Sequence, residues 1–298
     1  MRINDVAIDD TFAEAFGMKA TRVVVTARTA TWARHAGVAA TGFATSVIAC
    51  GCEAAIEREL PPDETPDGRP GVALLLFAMS TKELTRQLER RIGQCVLTCP
   101  TTAVYAGLDG GETLPMGSTL RYFGDGFQIS KLIGGRRYWR IPVMDGEFLC
   151  EEKTSMVKAV GGGNFLILAS DPDAALAAAE TAIVAMRRCP GVIMPFPGGV
   201  VRSGSKVGSK YKALPASTND AYCPGLRGRV ASALAPGEDC VMEIVIDGLQ
   251  PEQVAAATAS GIRAACTVPG VRRIAAGNYG GKLGQFHFHL RQLLEEHP

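Results

Sequence analysis

The segment Cys240-Val-Met-Glu-Ile-Val-Ile-Asp247 carries one carboxylate, Glu243, in the middle of an apolar, strand-like run. Alternation puts Val241, Glu243 and Val245 on one face and Met242, Ile244 and Ile246 on the other, so Glu243 sits between two valines. A carboxyl desolvated in this way has a raised pKa and exchanges a proton near neutral pH, which is what general acid–base chemistry needs. The same alternation also fits a sheet edge with Glu243 facing water. A second cluster runs from Pro195-Phe-Pro-Gly-Gly-Val200, with Gly198 and Gly199, into Ser203-Gly-Ser-Lys-Val-Gly-Ser-Lys210. Its backbone donors, the hydroxyls of Ser205 and Ser209 and the charges of Lys206 and Lys210 suit an anionic substrate tail. Gly-Ser-Lys composition is equally that of a flexible surface loop. A third cluster, Ala216-Ser-Thr-Asn-Asp-Ala-Tyr-Cys-Pro224, gathers Ser217, Thr218, Asn219, Asp220 and Tyr222 as donors and acceptors. Such residues also satisfy their own backbone in turns.

Other chemistries find less support. Ala276-Gly-Asn-Tyr-Gly-Gly-Lys282 looks like a phosphate loop, but Ala276 replaces the first glycine and Leu283 the required Ser/Thr. Neither a G-x-G-x-x-G opening a helix nor a G-x-S-x-G elbow is present, which argues against a dinucleotide fold and an α/β-hydrolase. His287 and His289 share a strand face by period-two geometry, yet a metal would need a third ligand from elsewhere. The nine cysteines are an odd set scattered along the chain, without zinc spacing, and read as buried small hydrophobes in a reduced compartment. No metal is expected. With 31 Lys+Arg against 30 Asp+Glu there is no electrostatic footprint for nucleic acid or an anionic membrane surface. The longest apolar run, Val72 to Met79, is far short of a bilayer span, and Met1 to Asp10 lacks a cationic apolar leader, so a cytoplasmic protein is expected.

These residues need a scaffold, and 298 residues that are 47% hydrophobic supply ample core for one. Thr21–Thr26 reads as a strand, 31–40 as an Ala-rich helix and Ser46–Cys50 as a second strand. Val72–Phe77 is a strand leading into a helix over 80–92, opened by Ser80 with Glu83 at capping-box spacing, and Gln94–Thr98 reads as another strand. The order then recurs: strand Asn164–Leu168, a helix over 173–188 opened by Asp171-Pro172, extended chain at Gly191–Met194, strand Val241–Ile246, a helix from Gln250-Pro251 to about Cys266, and strand Val271–Ala275. This predicts an α/β (α+β) fold of duplicated ferredoxin-like split β-α-β lobes, similar in topology and not in text. The intervening stretch, 110–147, differs in character, with two Gly-Gly pairs, the aromatic Arg121–Phe127 and a strand at Arg137–Val143. The lobe boundary is placed near 146, giving an N-terminal lobe 1–146 and a C-terminal lobe 147–298.

Nine segments in this order, Asp10–Phe16, Ala40–Phe43, Pro66–Gly71, Ile92–Val96, Phe123–Gly126, Pro195–Gly199, Ser205–Lys210, Leu214–Pro224 and Gly280–Gln285, resemble formylmethanofuran–tetrahydromethanopterin formyltransferases from end to end. The resemblance implies a homotetramer, a substrate cleft at a subunit interface, and no permanently bound cofactor. Methanofuran and tetrahydromethanopterin would be carrier substrates, exchanging a formyl group reversibly between two amine nitrogens. It also implies that Glu243 is the group at the reaction centre, that Ser205–Lys210 receives a carrier tail, and that Ser217–Tyr222 supplies polar contacts. The balanced, Arg-rich composition suggests a methylotrophic bacterium with a GC-rich genome, running transfer from the formyl-pterin toward formyl-methanofuran. In such bacteria the family resembles one subunit of a larger formyltransferase/hydrolase complex. Two rivals are a hydrolase of the formyl carrier, which would need a metal-activated water, and a non-catalytic pterin-binding or scaffold subunit.

Overall fold

A computed structural model describes residues 1–297. Two compact units emerge, one formed by Met18–Ala159 and the other by Met1–Gly17 together with Val160–Pro298. The chain passes between them inside two long strands, Phe12–Thr26 and Lys153–Ala169.

In the unit 18–159, strand Gly71–Ala78 pairs antiparallel with Cys52–Leu60 on one side and with Lys19–Thr26 on the other. Strand Ala103–Ala106 then pairs antiparallel with Val23–Thr26. Numbered by sequence these lie in the order 4-1-3-2, the split β-α-β arrangement expected, with helices Ala30–Thr41 and Thr81–Arg91 as the crossovers. Thr29 and Ser80 cap those helices by accepting from Trp32 N and Glu83 N. Two expected strands take other forms. Ser46–Cys50 becomes one helical turn, Val47–Cys50, because the Ser46 hydroxyl caps Ile48 N and Gly51 stops the turn at φ +80°; the second strand starts at Cys52. Gln94–Thr98 lies in a π-helical turn, Ile92–Val96, closed by Leu97 N donating to Ile92 O at 2.9 Å, and the fourth strand comes later. Its buried Ile92 and Val96 face one way at helical spacing, a pattern that a short apolar run does not distinguish from a strand. Beyond it, Gly146–Glu151 runs parallel to Ala103–Ala106 and carries the hairpin Ile129–Ile133 and Arg136–Val143. This pairing ties the stretch of different character to the first unit past residue 146.

The second unit repeats the plan. Cys240–Gly248 pairs with Val160–Ala169 and with Val192–Ile193, and Val271–Ala275 pairs on the far side of Val160–Ala169. The strand order is again 4-1-3-2. Asp171 caps helix Pro172–Met186 by accepting from Ala174 N at 2.9 Å, and Gln250 with Gln253 forms a capping box on helix Pro251–Ala265. Both helices cover one sheet face, burying Phe165, Ile167, Ile244, Ile246 and Ile274, each worth about 2 kcal/mol in apolar burial. They approach closely at Gly261, where a Cβ would lie 2.5 Å from Met186 Sδ. Two N-terminal pieces complete this unit. Val6–Ile8 runs parallel to Val271–Ala275, and Phe12–Ala15 pairs antiparallel with Phe286–His289. No helix among the described residues is long and apolar enough to cross a membrane.

Candidate functional site

The sheet face away from those helices holds the site. Glu243 pairs with Leu166 on one side, and on the other Val201 N donates to Glu243 O at 2.8 Å while Glu243 N donates to Val201 O at 2.9 Å. Its strand is therefore covered on both flanks, which removes the sheet-edge alternative. Alternation aims Ile244 and Ile246 at the helices and Glu243 into a cavity of about 300 Å³. Leu166 and Val241 belong to a small apolar cluster on the same face. Burial alone pushes the Glu243 carboxyl up to about 7. It is the one carboxylate lining the cavity among the described residues.

Two loops wall the cavity. Val201–Lys206 supplies Arg202, Ser205 and Lys206, and Asn219 and Tyr222 come from the loop that follows. Lys206 Nζ stands 2.7 Å from Asp220 Oδ1, and this contact holds the Asp220 carboxyl below its ordinary value. Burial raises the Tyr222 phenol; Arg273 opposes this, and Asp9 and Glu238 add to it. Arg273 itself grips Glu238 with two nitrogens at 2.7 Å and Asp9 with a third at 2.7 Å, pinning the chain near Tyr222.

Ala276–Tyr279 forms the opposite wall. Asn164, on the strand that carries Leu166, accepts from Gly277 N at 2.6 Å and donates to Gly277 O at 3.1 Å. Asn278 Nδ2 donates to Thr11 Oγ1 and Phe12 O. Beneath this loop lies Glu14, 1% exposed. Its Oε2 accepts from Tyr279 N and Gly281 N, and its Oε1 from Leu283 N and Gly284 N, at 2.5–2.9 Å. Burial would raise this carboxyl, but the four backbone donors overcome it and hold it at about 2. The segment that looked like a phosphate loop is thus wrapped around the protein's own carboxylate.

Of the residues singled out from sequence, Ser205, Lys206, Asn219, Tyr222 and Glu243 line one cavity, with Asp220 behind Lys206. The others lie outside its lining. Ser209 Oγ accepts from Tyr211 N, Ser217 Oγ donates to Gly208 O, and the Thr218 hydroxyl is 3.4 Å from Cys223 Sγ, so these hydroxyls shape their own loop. Lys210 is exposed. Gly198 and Gly199 form a turn in which a Cβ on Gly199 would lie 2.4 Å from Ile183 Cδ1, a packing reason for glycine. His287 and His289 flank the Phe12 ring at 4.9 and 5.2 Å, and no group of three or more His, Cys, Asp or Glu among the described residues is arranged to hold a metal. Cys52, Cys150 and Cys266 are buried and the other six thiols are partly so. Sequence reasoning missed Glu14, Asn164 and Tyr279. Glu14 did lie within a segment of the family resemblance, the available signal.

Comparison with known proteins identifies the family. The family described as formylmethanofuran-tetrahydromethanopterin formyltransferase matches residues 1–143, and its proximal lobe matches 146–293. A formyltransferase of that name from Methylococcus capsulatus is 69% identical, covering 99% of this chain and all of the relative. One subunit of the formyltransferase/hydrolase complex of Methylorubrum extorquens is 52% identical over 99% of this chain and 97% of its own length. The crystal structure of that complex with methylofuran matches at a TM-score of 0.97, 52% identity, over 100% of this chain and 99% of that one. The enzyme from Methanosarcina barkeri matches at a TM-score of 0.94 and 48% identity, over 98% and 100%. With matches spanning both lobes and identity this high, the chain belongs to the formylmethanofuran–tetrahydromethanopterin formyltransferase family.

Proposed function

We propose that this chain transfers a formyl group reversibly between methanofuran and tetrahydromethanopterin, with Glu243 carrying the proton at the reacting nitrogens. An amine attacks the formyl carbon, the carbonyl oxygen gains negative charge in a tetrahedral intermediate, and the C–N bond to the other carrier breaks. The attacking nitrogen must lose a proton and the departing one must gain it. A carboxyl poised near 7 can do both at small cost. That group, alone among carboxylates in the lining of the cavity among the described residues, is the observation that carries the reading. It also favours catalysis over a carrier-binding subunit that has lost the reaction.

The developing oxyanion needs donors at the same place. The Asn164 and Asn278 carboxamides are engaged with the loop 277–278 and the chain at 11–12, which leaves Asn219 and the Tyr222 hydroxyl as the better placed of the polar candidates. Arg202, Ser205 and Lys206 form the cationic wall for an acidic carrier tail, which would displace Asp220 from Lys206. Ser209, Lys210, Ser217 and Thr218 act from further out, where the tail leaves the cavity. The chain works as a cytoplasmic homotetramer, in the direction of formyl-methanofuran, and with the hydrolase subunits where these are present. Exposed Tyr122, Phe123, Phe127, Ile129 and Leu132 support such assembly, since large apolar side chains clustered in sequence seek a partner.

The test is to mix the purified chain with methanofuran and formyl-tetrahydromethanopterin and follow loss of the formyl-pterin absorbance, with and without chelator. Chelator-resistant transfer by the unmutated chain that collapses in Glu243→Gln is expected. Carrier binding without turnover by the unmutated chain would refute the catalytic reading.

A further inference from the structure

Glu14 touches neither the cavity nor any group that moves in the proposed reaction, yet its surroundings are unusually complete. Four backbone N–H groups from residues 279, 281, 283 and 284 converge on its two oxygens, and Glu14 N itself donates to Gly277 O at 3.3 Å. The loop sits so close that a Cβ on Gly284 would lie 2.4 Å from Ala15 O. Gln285 Oε1 accepts from Gly17 N at 2.7 Å, closing the far end. One residue of this clamped loop, Tyr279, lines the cavity; its ring packs on Phe16 at 6.2 Å, and its phenol is raised by burial and by the charges of Glu243 and Glu14 on either side.

We infer that Glu14 is a positioning residue: by gathering the N–H groups of loop 279–284 it fixes the Tyr279 ring against the Glu243 cavity. A loop whose shape is set only by water and solvent-exposed turns has many conformations. A buried carboxylate with four donors selects one, because any other leaves the shielded Glu14 oxygens unpaired. Glutamine cannot substitute, since its amide nitrogen would confront two donors. The role extends the formyl-transfer reading in its kinetic arm only; the placement of Tyr279 is a property of the folded chain.

The test combines Glu14→Gln, Tyr279→Phe and their double variant, with thermal melts to score folding, and labels the six tyrosines with 3-fluorotyrosine, Tyr279→Phe identifying the Tyr279 resonance by ¹⁹F NMR. In the folded Glu14→Gln chain the Tyr279 resonance moves or broadens. Its kcat falls about tenfold or more, as misplacement of a site group does, with KM for each carrier changing by less than about threefold. Adding Tyr279→Phe then costs little more, because both changes remove one device. A Tyr279 resonance unmoved in folded Glu14→Gln, or losses that multiply in the double variant, overturns the inference. Should Glu14→Gln not fold, Leu283→Pro carries the same measurement: it deletes the 2.5 Å N–H donor from a residue whose side chain is exposed. If the unmutated chain transfers no formyl group the proposed reaction fails, and the Tyr279 resonance alone decides for or against Glu14.

Discussion

Glu14 and Glu243 are the same residue type in the same compact unit, on two strands that each deliver a carboxyl away from bulk water, and their chemistry diverges. Glu14 meets four backbone N–H groups and is held at about 2; Glu243, acted on by desolvation alone, rises to about 7. Burial is common to both. The number of aligned donors decides whether a withdrawn carboxylate becomes a permanent anion that shapes a loop or a group that still exchanges its proton at neutral pH.

The comparison breaks most directly through activity. Glu243→Gln keeps the shape and removes the proton exchange, so transfer is expected to fall about 10²- to 10⁴-fold, measured with saturating carriers, while the melting temperature at pH 8 holds or rises. A loss below tenfold would place the proton chemistry elsewhere. Stability separates the pair in the other direction. Glu14→Ala leaves four partly buried donors without their acceptor and is expected to cost about 2 kcal/mol in chemical denaturation, whereas Glu243→Ala removes no acceptor from such a set of donors.

The pH dependence sharpens the contrast because the signs oppose. Glu14, depressed in the folded chain, contributes stability that is full above the ordinary carboxyl value of 4.5 and is lost as pH falls toward about 2. Glu243, raised in the folded chain, contributes stability that is full below 4.5 and is lost as pH climbs through about 7. Melting temperatures between pH 3 and 9 should therefore lose their acid limb in Glu14→Gln and part of their neutral limb in Glu243→Gln. The smallest effect concerns the cavity wall. Lys206→Met should raise KM for an acidic carrier about five- to tenfold, the cost of losing one charge-assisted contact, while Lys210→Met should change it less than about twofold; equal effects would show that the tail runs past the cavity along the outer loop.

Legibility followed the range of the interactions. Strand alternation placed Glu243 on one face between valines, leaving open whether that face met water, and the repeated strand-helix order disclosed both ferredoxin-like lobes, because these patterns are local. Glu14 was mute by contrast: nothing local marks it, and its donors lie 265–270 residues away. The same distance hid the N-terminal pairing, since nothing near Val6–Ile8 announces that it pairs beside Val271–Ala275. The misplaced strand at 94–98 failed for a different reason, an apolar run too short to declare its period.

The division of the chain into Met18–Ala159 and a second unit built from both ends has a consequence for biosynthesis. All strand partners of Gly71–Ala78 and Ala103–Ala106 lie between residues 19 and 151 and are synthesised before the second unit resumes. Residues 1–17 must wait for strands at 271–275 and 286–289, a delay on the order of ten seconds to a minute at ordinary elongation rates. Until residues 277–284 are made Thr11 and Glu14 have no loop to hold, so the cavity forms after its N-terminal parts have long been synthesised, and the nascent chain carries an unpaired strand that chaperones or a sister chain can capture.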